Sequence, residues 1–351
     1  MDHNENSSSF STGNSAQEKG LPYVPQCYVI PSSHRACTIP QVADIPVIDM
    51  EALKNDSKER FFAIEKLRDA CRRMGFFQLV NHGVEQSVLD EALLAASIFF
   101  NLPTREKATL MSNDVHKPVR YGTSYRDGVD KIQFWRIFLK HYAHPLKDWI
   151  HMWPDNPHEY RWEGYCQEVR KVGMEVIIAI IESLGLRPTY LKQQIEDGMQ
   201  VMALNCYPPC PEPEIALGLP PHSDYSCLTI LYQSSVGLEI MDLEDATWKV
   251  VPQIPRALQV HVGDHFEVLS NGSYKSVVHR ATLNSESTRI SIVSLFSLGM
   301  DGKMETAPEL VDEKNPKYRE SSFRDFLNFL ASNDIAEGKS FLGMLKIKSK
   351  N

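Results

Sequence analysis

The chain has no apolar run long enough to cross a bilayer. Its longest, Val176–Ile181, is bracketed by Glu175 and Glu182 and falls far short of the roughly 20 residues a span needs. A basic surplus is also missing. The 37 Lys and Arg face 45 Asp and Glu for a net charge of -8, which leaves no cationic stripe for phosphates and argues against nucleic acid or an anionic membrane as partner. Paired cysteines are absent too. The seven, at Cys27, Cys37, Cys71, Cys166, Cys206, Cys210 and Cys227, show no CxxC spacing, so free thiols in a reducing compartment are expected. Residues 1–20 are rich in Ser, Asn and Gly, with no apolar core behind a basic start. They read as a disordered tail rather than a signal peptide, and a cytoplasmic protein is expected.

What is present divides by texture. Residues 21–56 carry several prolines and end in a short strand at Ile45–Asp49. Phe61, Ile64, Leu67, Ala70 and Cys71 recur at helical spacing over Ser57–Met74, and Gly75 is placed to end that helix. Phe76–Val80 is β-prone, a second helix follows Gly83 through Phe100, and a third covers about Glu159–Leu184. Beyond Gln200 short β-prone runs dominate: Val201–Tyr207, Cys227–Tyr232, Leu238–Met241, Thr247–Val251, Ala257–Val262, Phe266–Leu269, Lys275–Leu283 and Arg289–Leu298, before a last helix at Ser321–Ala331. The pattern predicts an α+β protein, with a helical region 21–195 wrapped on a jelly-roll core 196–300 and a helical extension 301–351.

The chemistry-bearing residues cluster in the β-rich half. His222 and Asp224 are two residues apart, so on an extended backbone both point to one face and can share an ion. His279, in a later strand-like run, is the natural third ligand of a two-His, one-carboxylate metal site with open positions for substrate. Arg289 and Ser291 repeat the i, i+2 logic. A guanidinium fork and a hydroxyl on one face suit the far carboxylate of a small diacid. His82, Asp264 and His265 sit in turn-like contexts and read as capping residues.

The order His-x-Asp, His, Arg-x-Ser resembles the plant 2-oxoglutarate-dependent dioxygenases. Asn205–Pro211 ahead of the first ligand, Val262–His265, Leu269–Gly272 and Gly75–Gly83 extend the resemblance from Ile45 to Phe329. It implies a double-stranded β-helix, Fe(II) on His222, Asp224 and His279, and 2-oxoglutarate held by Asn205 and Tyr207 beside Arg289 and Ser291. It also implies O2 as oxidant, ascorbate as reductant, and a monomer acting on a small molecule. Expected outcomes are hydroxylation, desaturation or O-demethylation of a plant specialised metabolite or hormone, phenolic or terpenoid.

The resemblance does not fix the substrate. Anthocyanidin-synthase-like relatives carry Phe, Glu and Lys where this chain has Leu295, Ser297 and Ala203, and the family usually has Asn where this chain has His261. The wider similarity is to flavanone 3-dioxygenase-like, salicylate hydroxylase-like and gibberellin-modifying oxygenases. Tyr121, Ser124, Tyr125, Phe134, Trp135, Leu295 and Phe296 are the candidate substrate-pocket residues. Two other readings are a cosubstrate-independent iron oxidase resembling isopenicillin-N synthase or the ethylene-forming enzyme, and a non-enzymatic ligand-binding jelly roll.

Overall fold

The helix Lys58–Arg73 buries Ile64, Leu67, Ala70 and Cys71, the stripe its periodicity sets out. It stops at Gly75, whose φ is +67° and whose absent Cβ would lie 1.9 Å from the Lys275 carbonyl oxygen. In this computed structural model the described residues are 15–35, 40–54, 58–123, 126, 129–156, 162–311 and 315–347.

Thirteen strands among these residues form two sheets, numbered here in chain order: β1 Gln41–Val42, β2 Val47–Asp49, β3 Phe76–Val80, β4 Val119–Thr123, β5 Ile137–His144, β6 Met199–Tyr207, β7 Leu219–His222, β8 Leu228–Gln233, β9 Leu238–Met241, β10 Trp248–Val250, β11 Leu258–Val262, β12 His279–Ala281 and β13 Arg289–Ser297. The larger sheet runs β2-β3-β11-β8-β13-β6-β5-β4 and the smaller β1-β10-β9-β12-β7. Facing sheets of this kind make the expected jelly roll.

Strand parity divides the larger sheet into two faces. On the outer face Met202, Leu204, Ile230, Ile292 and Phe296 are fully buried, and the helices Gln86–Asn101 and Trp162–Ser183 contact this side of the sheet. The packing is close: a Cβ on Gly173 would meet the Phe296 ring at 2.7 Å. The opposite face of the same strands opens into the barrel.

Several expectations change. Beside the strands expected at Ile45–Asp49 and Phe76–Val80, the region 21–195 carries β4 and β5, and all four join the larger sheet. Phe266–Leu269 lies in a helix, Asp264–Leu269, buried along its whole length, and so short an apolar run carries no period that separates helix from strand. Of Lys275–Leu283 only His279–Ala281 pairs, with an irregular register against β7. At the N-terminus Ala16–Lys19 is a helical turn, and Ala16 packs in one cluster with Tyr28 and Trp135, so part of the expected tail is folded.

Candidate metal centre

β7 and β12 are antiparallel neighbours with His222 opposite His279, so one cross-strand pair delivers two imidazoles, their rings 4.2 Å apart. Two prolines precede His222 in β7. Such a strand is tolerated because β7 lies at the edge of its sheet. The neighbouring Arg280 pins β12 from the other side: its Nε donates to Glu239 Oε2 at 2.7 Å and its guanidinium lies 4.2 Å from the Trp248 ring centroid.

One ligand atom from each of His222, Asp224 and His279 lies within 4.8 Å of the others, a group able to hold a metal ion. Asp224 Oδ1 is 3.7 Å from His222 Nε2 and 3.8 Å from His279 Nε2. Both rings are turned the same way. Nδ1 of His222 bonds the Pro220 carbonyl at 2.8 Å and Nδ1 of His279 the Val277 carbonyl at 3.2 Å, which fixes the proton on Nδ1 and aims the Nε2 lone pairs inward. Burial lowers the His222 and His279 pKa values to about 4, so both imidazoles are neutral at physiological pH. Burial alone would raise the Asp224 carboxyl, but His279, His261 and His222 together hold it below the usual carboxylate range. Neutral imidazoles with an ionised carboxylate are the protonation state a divalent metal requires. Asp224 Oδ2 is buried without a hydrogen-bond partner, an orphan that suits a metal centre.

His261, on β11, is the unexpected member. Its Nδ1 lies 3.3 Å from Asp224 Oδ2, and its ring packs 4.4 Å from His279 and 5.0 Å from Phe76. It packs against the carboxylate and one imidazole at once, with no hydrogen bond from either ring nitrogen. His82 instead accepts the Val84 amide and contacts the Arg256 carbonyl, while His265 Nδ1 faces Cys227 Sγ at 3.3 Å.

The diacid residues meet through register. β13 pairs with β6 so that Arg289 faces Tyr207 and Ser291 faces Asn205. Asn205 Nδ2 donates to Ser291 Oγ at 3.2 Å, and the Arg289 guanidinium lies 4.9 Å from the Tyr207 ring centroid. Arg289 Nη2 donates to Gln233 Oε1 at 2.6 Å and Nε to the Ser235 carbonyl at 3.1 Å, whereas Nη1 is buried with no partner. A fixed guanidinium with one free edge is a carboxylate receptor. These four residues line one cavity of about 180 Å³ together with the three metal-site residues and His261.

The proposed pocket residues divide. Leu295 lines the cavity. Phe296, one position on, faces Gly173 on the outer side, and Tyr121 packs on Phe99 in the core with its hydroxyl on Glu18. Trp135 packs edge-on against Tyr28, and Phe134 sits in a separate cluster with Ile30 and Leu217. Those four are corrections: for Tyr121, Phe296 and Trp135 the next residue along or the one before takes the cavity side, while Phe134 lies in the segment ahead of β5. Ser124 and Tyr125 lie outside the described residues. The inward positions that sequence reasoning missed are Arg120, Arg136, Phe138 and Lys140. The β-prone run Ile137–Tyr142 was the available signal for the strand that carries two of them, Phe138 and Lys140.

Residues 198–297 match the model of the 2OG-Fe(II) oxygenase superfamily, and residues 45–156 match that of the N-terminal region of non-haem dioxygenases in morphine synthesis. The chain is 50% identical to the rice (Oryza sativa subsp. japonica) 2-oxoglutarate-dependent dioxygenase 21, chloroplastic, over 84% of this chain and 89% of that one. It is 46% identical to rice flavanone 3-dioxygenase 3 over 86% and 93% of the two chains. Its fold is similar to the crystal structure of JOX2 in complex with 2OG, Fe and JA, with a TM-score of 0.81 and 30% identity over 95% and 96% of the chains.

Proposed function

Because this chain belongs to the 2OG-Fe(II) oxygenase superfamily and is a 2-oxoglutarate-dependent dioxygenase using Fe(II), we propose that His222, Asp224 and His279 hold the iron and that Arg289, Ser291, Asn205 and Tyr207 hold 2-oxoglutarate. The observation that carries this reading is the inward aim of both Nε2 atoms toward Asp224 Oδ1, with Asp224 Oδ2 buried and accepting no hydrogen bond. When bound, the metal and cosubstrate supply O2 activation coupled to loss of CO2 from 2-oxoglutarate. The chain's residues do the rest. Arg289 and Ser291 fix one carboxylate of the cosubstrate, His261 steadies Asp224, and the barrel walls keep bulk water from the reacting centre.

The substrate is a small plant metabolite or hormone. Hydroxylation, desaturation and demethylation share this site, and a gibberellin-like terpenoid belongs to the range alongside phenolics. The free edge of Arg289 favours 2-oxoglutarate use over a cosubstrate-independent oxidase. The oxygenase core is read as 196–300, between the N-terminal region 21–195 and the extension 301–351, and the working unit as a monomer. No helix among the described residues is long and apolar enough to cross a membrane. The six described cysteines are free, which supports the cytosol, while the plastid suggested by the rice relative's name is the competing address, and organelle fractionation separates the two.

The decisive experiment adds Fe(II) and then 2-oxoglutarate without oxygen and records the visible charge-transfer band of a 2-oxo acid chelated to ferrous iron. The expected result is a band in wild type that disappears in His279→Ala. Stoichiometric iron binding with no band would favour the cosubstrate-independent oxidase.

A further inference from the structure

The inner face carries a second set of cations apart from Arg289. Register places Arg120 on β4 directly opposite Lys140 on β5, and Arg136 stands just ahead of β5 on the same side. All three line a cavity of about 240 Å³ that reaches His222 and Asp224 and is walled by Phe138, Leu295, Phe326 and Leu327.

Their contacts are rings and dipoles. Both guanidiniums lie 4.7 Å from the Phe138 ring centroid, Arg136 Nη1 donates to Asn205 Oδ1 at 3.1 Å, and Lys140 Nζ donates to the Val115 carbonyl at 3.1 Å. Nε of Arg120 and Nε of Arg136 are buried with no partner. Among the described residues none of the three has a carboxylate within ion-pair distance, although nearby Arg126 is matched by Asp130 at 2.5 Å. Burial and then the neighbouring Arg120 lower the Lys140 ammonium to about 7, and burial and then Arg136 lower Arg120 to about 10. Like charges held together away from water are unfavourable unless an anion joins them.

We propose that the substrate is a small organic acid with an apolar body, its carboxylate gripped by Arg120 and Lys140 and its body lying against Phe138, Leu295, Phe326 and Leu327 beside the metal site. This rests on the reading of the site given above. A neutral phenol of the same shape leaves both cations without a counter-ion, so the pair selects for charge as well as shape.

The test is calorimetric titration of the anaerobic Fe(II) and 2-oxoglutarate-loaded enzyme with cinnamate and with its neutral twin cinnamamide. The expected result is at least about tenfold tighter binding of the acid, from charge-assisted hydrogen bonds. The double variant Arg120→Gln/Lys140→Gln should erase that preference while retaining the charge-transfer band. Removing two like charges should leave its melting temperature equal or higher, and each single variant, expected to lose part of the preference, serves should the double one fail to fold. Equal binding of acid and amide in wild type, failure of cinnamate to bind, or a preference that survives in the variants overturns the proposal. So does a second equivalent of 2-oxoglutarate per iron that the double variant loses, since the cations would then hold cosubstrate. Absence of the band in wild type counts against the iron and cosubstrate reading instead, and the acid-to-amide ratio still decides the cation pair.

Discussion

The two faces of the eight-stranded sheet share strands and backbone bonds but solve opposite problems. The outer face packs Ile230, Ile292 and Phe296 beneath two helices, and its polar insertions Gln200 and Ser294 satisfy each other. The inner face keeps Arg120 Nε, Arg136 Nε and Arg289 Nη1 buried without partners, and Asp224 Oδ2 is in the same condition across the cavity. One face is filled mainly by apolar side chains of the chain itself, and the other holds the orphaned charged groups that the proposed ligands would satisfy. Stability and function are thus distributed by residue parity along the same strand.

That contrast can be broken most sharply at Asp224. Asp224→Ala should lower turnover by about a thousandfold or more, through loss of a metal ligand, while the metal-free protein still folds, with thermal unfolding at neutral pH no higher than wild type because a carboxylate held below its usual range contributes stability there. Retained turnover would sink the assignment of the centre. Next in size is Phe296→Ala, expected to cost about 3–5 kcal/mol in denaturant unfolding. Leu295→Ala, one residue away, should leave stability nearly unchanged and alter which substrates are oxidised. Similar stability losses at both positions would erase the distinction between the faces. Arg289→Lys replaces a fork with a point charge and should raise the KM for 2-oxoglutarate by about tenfold to a hundredfold, with a smaller change in kcat at saturation. The smallest expected effect is at His261: His261→Phe should weaken Fe(II) binding about tenfold by freeing the Asp224 carboxylate to turn. Unchanged iron affinity would reduce His261 to core packing.

The same contrast explains what was legible. His222 and Asp224 can be read from adjacent text because their spacing alone puts them on one face, and Arg289 with Ser291 likewise. Their cross-strand partners required register, which no local spacing contains. On the cavity side, expectation and structure differ by single steps at two places, Tyr121 against Arg120 and Trp135 against Arg136, while of the expected neighbours Leu295 and Phe296 only Leu295 lines the cavity. Both steps favoured an aromatic over its neighbour, and a shift of one residue on extended chain exchanges core for cavity. β7 was hidden by its prolines, and the pairing of Arg120 with Lys140 depends on two strands in a stretch to which the sequence pattern assigned no element.

β13 lies between β6 and β8, bonded along most of its length on both sides. It carries Arg289 near one end and Leu295 six residues later, a separation of about 20 Å at strand rise. A strand so clamped behaves as a ruler. On the proposed reading the cosubstrate mark is engraved at one end, and the mark that meets the substrate can be recut at the other without disturbing the first. A lineage with this architecture can therefore try new substrates by point substitution near Leu295 while the oxidising half-reaction is inherited intact.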